Sequence, residues 1–368
     1  MATEGYIAWQ PPIPASDLYR AADLLHRKGL LCGFFDYSQE DTYNPRTYIV
    51  QRTSHETRTC MLIDRNIFSL IKDLSLGRRL EADKAQLIGA FMTFAIVCDI
   101  GIEPCIALYE YAAYNGNDAA WHDLQIFRHA DNMNIKTYVA LLRGDICSVP
   151  EQDVYKSDEL TAPCPYDFTH PLKNWEFNYP FILKIAELEL IPLPPVERVR
   201  RFLFWMWKDF LFSGPATLFG SIFLSPARAG HKRMIKGLQS PDPDVRKAGI
   251  KNACWDLCLV QEWLRHLGEQ RRDNRLWLLA SADQALMHTA KRIAFSQSVL
   301  DRLGQGELSK NAFTEVWGEK MGRELYAFYS RLLSSQDSET RVCHTGLFNA
   351  GYCKSLTNEL EKGLFERL

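Results

Sequence analysis

Four acidic residues of this chain stand in settings where a carboxylate seldom occurs without a partner. Asp64 ends the apolar run MLID, and Asp283 ends the similar run LLASAD. Glu110 lies within IALYEYAA, and Asp256 lies within the equally apolar stretch NACWDLCLV. Any one of these carboxylates is readily explained as a helix cap or a partner of arginine. Four in this order are harder to explain in that way, because an acid within so apolar a run needs a partner or a metal. If Asp64 and Asp283 lie close together, a bound divalent cation is favoured because the metal offsets their repulsion.

Two of the acids follow predicted strands directly. Residues 60–74 have the pattern of a short apolar strand, a polar break and an amphipathic helix, and residues 276–283 that of a strand and a tight turn before another helix. If both strands belong to one parallel sheet, Asp64 and Asp283 emerge side by side at its carboxyl edge. Open α/β sheets bind their ligands at that edge.

The other two acids are predicted to lie on helices. Residues 100–113 read as a short strand that leads into a helix near Pro104, and this helix carries Glu110. Glu103 lies two helical turns from Glu110 and is the alternative to it as a ligand. A cap at SPDPD predicts a long helix over 245–267, on which Asp256 is flanked by apolar neighbours.

In this order and context, the motifs resemble those of the PIN-domain nucleases. The matching segments are LIDRN (Asp64 and Asn66), IEPCIALYE (Glu110), CWDL (Asp256) and LLASAD (Ser281 and Asp283). They cover roughly residues 60–114 and 245–295. The resemblance implies a three-layer α/β/α fold with a central, mostly parallel sheet. It also implies that the four acids bind one or two Mg²⁺ or Mn²⁺ ions and hydrolyse phosphodiester bonds.

The resemblance also suggests roles for neighbouring residues. Asn66 and Ser281 are expected to hold carboxylates or phosphate by hydrogen bonds. Arg65 stands where the family usually has a small residue, and it either pairs with a carboxylate or contacts a phosphate. Within the densest basic cluster, the candidate contacts to nucleic acid are Lys232, Arg233 and Lys236. RNA is the favoured substrate, DNA is less favoured, and a regulatory protein partner and a toxin-like or defence role are expected.

A catalytically silent PIN-like interaction or scaffold protein is the alternative. Its docking surface would be the aromatic insertion that includes Trp175, Tyr179, Trp205 and Trp207. Geometry separates the two hypotheses, since an active site needs the acids within reach of shared metal ions. An arginine locked into the cluster, with Arg65 as the candidate, would favour the silent protein.

The domain organisation is predicted from changes in pattern along the chain. The predicted parts are an N-terminal appendage (1–58), a PIN-like catalytic core (59–132 and 245–298), a mostly helical insertion (133–244) and a helical C-terminal extension (299–368). The insertion contains the most hydrophobic segment, 196–224, which charged residues and a Gly-Pro pair interrupt. It is predicted to form a buried helix pair, with a membrane-surface helix, a partner-binding helix or a homo-oligomer interface as alternatives.

Composition points to an ordinary globular protein. The formal net charge is −2, so any binding of nucleic acid must be local rather than a property of the whole molecule. The ten cysteines are dispersed through the chain and favour reduced thiols. No membrane span and no secretory signal are recognised, which predicts a cytoplasmic protein. No Walker loop, nucleophile elbow or His-Glu-x-x-His motif supports another catalytic class.

Overall fold

The architecture is described from a computed structural model of the chain. It describes residues 11–33, 39–156, 164–170, 172–226, 234–292, 310–334 and 349–365. Contacts divide the chain into two units, one formed by Met1–Thr169 with Leu267–Ala282 and the other by His170–His266 with Asp283–Leu368. These limits differ from the four-part organisation that the sequence pattern predicts.

The first unit is a mixed α/β structure around a small sheet. Its helices are α1 (Ala15–Lys28), α2 (Gln39–Thr42), α3 (Pro45–His55), α4 (Arg65–Ser75), α5 (Ala82–Val97), α6 (Cys105–Asn115), α7 (Asn117–Asp131), α8 (Ile135–Arg143) and a short 3-10 turn (Glu151–Asp153). Its described strands are β1 (Leu31–Gly33), β2 (Arg58–Ile63), β3 (Ile100–Glu103) and β4 (Arg275–Ala280).

The described strands pair in the order β1-β4-β2-β3. The central strands β2 and β4 run parallel, with Met61 opposite Leu278, and β3 runs parallel to β2 on its other side. Among the described strands, only β1 is antiparallel to its neighbour. The sheet is therefore mostly parallel, as predicted, and the carboxyl ends of β2 and β4 lie next to each other.

Burial explains why the central strands are continuous apolar runs. Met61, Leu62 and Ile63 are consecutive, so they point to alternate faces of the sheet, and each is at most 1% exposed. A parallel strand that is covered on both faces has this apolar character. The same holds for β4, where Leu278, Leu279 and Ala280 are fully buried.

The N-terminal residues contribute to the core of the first unit. Leu18, Ala21 and Leu25 of α1 belong to the same hydrophobic cluster as Met61 and Leu278 of the sheet. Strand β1 adds an edge to the sheet through its pairing with β4. The described residues of segment 1–58, which the sequence pattern separates as an appendage, are thus part of the sheet and its core.

Close packing of α5 on α8 depends on a glycine. A Cβ atom built on Gly89 would overlap the backbone nitrogen of Leu142 and would lie 2.8 Å from the carbonyl oxygen of Tyr138. The two helices can approach this closely only because position 89 lacks a side chain.

The described part of the second unit is helical. It contains α9 (Lys173–Leu190), α10 (Pro195–Asp209), α11 (Gly214–Phe223), α12 (Pro243–Asp273, divided by the unit limit after His266), α13 (284–292), α14 (Lys310–Trp317), α15 (Glu319–Ser334) and α16 (Ala350–Phe365). All residues from Ala216 to Phe223 in α11 are buried, which agrees with the prediction of a buried helix pair over 196–224. Among the described helices, none combines the length and apolar character that crossing a bilayer requires.

Candidate functional site

Asp64 lies at the junction of β2 and α4. Its backbone N–H donates to the Ala280 carbonyl oxygen (3.0 Å), so the junction is tied to the end of β4. Its side chain then caps α4, because Oδ1 accepts a hydrogen bond from the Arg65 backbone N–H (2.6 Å). The strand-to-helix turn therefore fixes the position of this carboxylate at the carboxyl edge of the sheet.

Two side chains hold the second oxygen of this carboxylate, one that follows β4 and one in the first turn of α4. The Ser281 hydroxyl donates to Asp64 Oδ2 (2.6 Å), and Asn66 Nδ2 donates to the same oxygen (2.5 Å). Asn66 Oδ1 in turn accepts from the Ala282 backbone N–H (3.0 Å), which fixes the amide orientation. Ser281 is fully buried. The structure thus brings together three of the predicted site residues, and we call them the Asp64 cluster: Asp64, Asn66 and Ser281.

Glu110 and Arg65 lie beside this cluster as an ion pair. Arg65 Nη1 is 3.3 Å from Glu110 Oε1, and the two side chains are 33% and 15% exposed. The Arg65 guanidinium also lies 5.2 Å from the ring centroid of Tyr111. Arg65 follows Asp64 directly, so this contact places Glu110 of α6 near the junction. Glu103 is exposed at the end of β3, where its Oε1 accepts from the Cys105 backbone N–H (3.2 Å).

A second cation, which was not among the predicted site residues, lies on the same helix. Lys72 lies seven residues after Arg65, a spacing that places both on one face of α4. Its Nζ is 2.7 Å from Asp123 Oδ2 and 5.1 Å from the ring centroid of Tyr111. The Asp123 side chain is only 7% exposed. Tyr111 therefore lies within reach of two cations, and only the spacing of Arg65 and Lys72 could have indicated this arrangement.

The other two predicted acids belong to the second unit. Asp256 is half-buried on α12, and its Oδ2 accepts a hydrogen bond from Asn252 Nδ2 (3.2 Å) one turn earlier. Asp283 caps α13, since its Oδ1 accepts from the backbone N–H groups of Ala285 (2.9 Å) and Leu286 (3.2 Å). Each carboxylate thus has an ordinary local partner.

Asp283 also forms an ion pair with one of the predicted nucleic-acid contacts. Lys236 Nζ is 2.9 Å from Asp283 Oδ2. Burial alone would raise the pKa of Asp283, but the hydrogen bonds from Lys236 and from the α13 backbone outweigh burial and lower it. Asp283 therefore stays ionised near neutral pH. Lys232 and Arg233, the other two predicted contacts, lie outside the described residues.

The oxygen donors of the first unit suit a hard divalent cation by type. Their arrangement does not yet form a binding group, since the part of the chain that the structure describes contains no set of three or more His, Cys, Asp or Glu side chains placed to hold a metal ion. Arg65 contacts Oε1 of Glu110, so a cation that binds this oxygen must displace the guanidinium. Partial exposure of the Arg65 side chain permits such a movement.

The chain was compared with protein-family models, with curated proteins and with solved structures, and no family model, curated protein or solved structure matches it.

Proposed function

We propose that the chain is a divalent-metal-dependent nuclease that hydrolyses phosphodiester bonds in RNA, with a PIN-like three-layer core. The observation that carries the proposal is the Asp64 cluster at the carboxyl ends of two parallel strands. A helix cap needs only backbone donors, and Asp64 has one in the Arg65 N–H. The added bonds from Asn66 and Ser281 fix the orientation of the carboxylate, which is the property that a catalytic ligand requires.

The proposed chemistry follows from the donor set. Mg²⁺ or Mn²⁺, when bound, would supply an activated water and stabilise the leaving oxygen. Asp64 and Glu110 would provide oxygen ligands, and Asn66 and Ser281 would orient Asp64. Arg65, once released from Glu110, would contact a phosphate oxygen of the substrate. Asp256 and Asp283 of the second unit remain proposed ligands on the strength of the sequence motifs.

A second candidate function has its own observation. The Arg65–Glu110 ion pair is the feature expected of a catalytically silent PIN-like scaffold, in which an arginine replaces the metal as the partner of the acids. On this hypothesis, the Lys236–Asp283 ion pair is likewise permanent rather than displaced by a cation. The two candidates differ in whether the carboxylates bind metal at all.

Cleavage of labelled single-stranded RNA, with single-stranded DNA in parallel, tests the proposal. Purified protein is assayed with Mg²⁺, Mn²⁺ or EDTA, and Mn²⁺ binding is measured by calorimetry. We expect metal-dependent cleavage of RNA that Asp64→Asn and Glu110→Gln each reduce at least about a hundredfold, as the loss of a metal-positioning group does. Asp145→Asn is the matched control, because it removes an exposed carboxylate of the first unit that is not among the candidate ligands. Circular dichroism verifies that each variant is folded.

Arg65→Gln separates the two candidates. In an active nuclease it removes a phosphate contact, so cleavage becomes slower while Mn²⁺ binding is retained or strengthened. In a silent scaffold the native chain neither binds Mn²⁺ nor cleaves RNA, and Arg65→Gln leaves cleavage absent. If the native chain shows no cleavage and no Mn²⁺ binding to the Asp64 and Glu110 carboxylates, the nuclease proposal is wrong.

A further inference from the structure

A separate pocket opens beyond the carboxyl end of β3 in the first unit. Its volume is about 410 Å³, within the range typical of small-molecule sites. The β3–α6 junction, helix α7 and residues 166–168 form its walls. On α6, Tyr109 lines this pocket, whereas the next residue, Glu110, contacts Arg65 of the candidate nuclease site.

One wall of the pocket is aromatic and held in place. Phe168 contacts Tyr109 edge-on, with ring centroids 5.7 Å apart, and lies 5.9 Å from the ring of Tyr166. Asn117 anchors this segment, because its Nδ2 donates to the Tyr166 carbonyl oxygen (2.9 Å) and its Oδ1 accepts from the Phe168 N–H (2.8 Å). The first turn of α7 therefore holds this aromatic surface in position.

The polar lining is predominantly acidic. Three carboxylates (Glu103, Asp131 and Asp167) face one guanidinium, that of Arg128. The Arg128 guanidinium lies over the ring of Trp121, 5.6 Å from its centroid. Trp121 does not line the pocket, so this cation has a partner outside the pocket lining. The ionised side chains thus leave an excess of negative charge in a space with aromatic walls.

Asp131 is the carboxylate that a ligand would meet. Oε1 of Glu103 already accepts a hydrogen bond from the Cys105 N–H, and Oδ1 of Asp167 accepts from the N–H and the hydroxyl of Thr169. No hydrogen bond from the described residues reaches the Asp131 side chain. Although much of Asp131 is exposed by area, desolvation by the surrounding protein raises the pKa of its carboxyl, and only Arg128 opposes this effect. A ligand that brings positive charge and N–H or N–CH₃ groups would compensate the desolvation of the Asp131 carboxylate.

We propose that this pocket binds an organic cation, a ligand that carries an ammonium or guanidinium group on an apolar body. The carboxylates attract the charge, and the faces of Tyr109, Tyr166 and Phe168 contact the apolar body and the cation. Phosphates and other anions are repelled by the same lining. The cation can be a free small molecule or the basic side chain of a peptide, and both have this shared chemistry.

Isothermal titration calorimetry with an isosteric pair of probes tests the charge requirement. Choline and 3,3-dimethylbutan-1-ol have the same shape and differ in the positive charge. We expect choline to bind at least about tenfold more tightly, a difference of about 1.4 kcal/mol. Asp131→Asn should abolish this preference without changing side-chain volume. Asp145→Asn, which removes an exposed carboxylate that does not line the pocket, should retain it.

A third probe, N-acetylarginine N-methylamide, identifies the source of the cation. Tighter binding of choline indicates a free small cation, and tighter binding of the arginine derivative indicates a peptide side chain. Equal affinity for choline and its neutral isostere would overturn the proposal, as would the absence of binding by all three probes at millimolar concentrations. The same holds if Asp131→Asn and Asp145→Asn weaken choline binding equally. None of these measurements involves RNA cleavage or metal, so they are independent of the nuclease proposal.

Discussion

The hydrogen bond between Ser281 and Asp64 is predicted to couple the ends of β4 and β2. The oxygens are 2.6 Å apart, the length of a bond to an ionised acceptor, and Ser281 is fully buried. A hydrogen bond to a charged group contributes about 1.5–3 kcal/mol. Ser281→Ala should therefore destabilise this junction by about 2 kcal/mol. In an Asp64→Asn background the bond is to a neutral amide, so the same change should cost about 1.5 kcal/mol less.

Hydrogen exchange at this junction measures the coupling directly. The Asp64 and Ser281 amides donate to the carbonyl oxygens of Ala280 and Leu30, so their exchange reports opening of the strand ends. Exchange should become more than tenfold faster in Ser281→Ala, but only about two- to threefold faster when Asp64 is already Asn. Ser75→Ala is the control, because that buried hydroxyl donates only to the Ile71 carbonyl oxygen within α4. A Ser281→Ala effect of the same size in both backgrounds would refute the coupling.

Three further predictions follow from local geometry. Gly89→Ala should lower the free energy of unfolding by about 2–3 kcal/mol in calorimetry, because the added methyl group forces α5 away from α8. Asp283→Ala should cost about 1 kcal/mol through loss of the α13 cap, whereas Asp283→Asn should cost only a few tenths, since asparagine caps equally well; equal losses would contradict the cap. Burial raises the pKa of Glu262, but hydrogen bonds from His266 and Arg265 outweigh it and hold the pKa at about 2. Because the folded-state pKa is below the usual 4.5, the interactions of ionised Glu262 stabilise the folded state fully above pH 4.5. This contribution to the free energy of unfolding disappears as the pH falls towards 2. Glu262→Gln should therefore reduce stability by about 1 kcal/mol at neutral pH, after allowance for solvent screening, and by nothing near pH 2; a pH-independent difference would contradict this origin.

The central strands could be predicted because their sequence signal is local. Apolar runs at 60–63 and 276–280 are bounded by polar residues, and burial on both faces of a parallel sheet requires such runs. Strand β1 has no comparable signal, because three residues are too few to establish a period. It exists through its pairing with β4, almost 250 positions later, and a contact of that range is not visible in a local pattern.

The Asp64 cluster was predictable in part for a related reason. Once β2 and β4 are parallel neighbours, residues that follow their carboxyl ends must meet, and this places Ser281 beside Asp64 and Asn66. For Arg65, the sequence left two partners open, a carboxylate or a phosphate. The choice of Glu110 depends on how α6 packs near α4, which no local pattern determines. The pairing of Lys236 with Asp283 likewise joins positions 47 residues apart.

The strand-acid-helix pattern selects residues for capping whatever else they do. Asp64 and Asp283 both follow buried strand residues, and both accept hydrogen bonds from the first turn of the helix that follows. A capping acid and a catalytic acid are therefore indistinguishable by sequence context alone. Substitution by asparagine separates the two roles, because asparagine retains the cap and removes the charge that a metal ion requires. If Asp64→Asn abolishes metal binding but retains the helix cap, the carboxylate has a catalytic role. If Asp64→Asn retains both metal binding and the cap, capping is the whole role of Asp64.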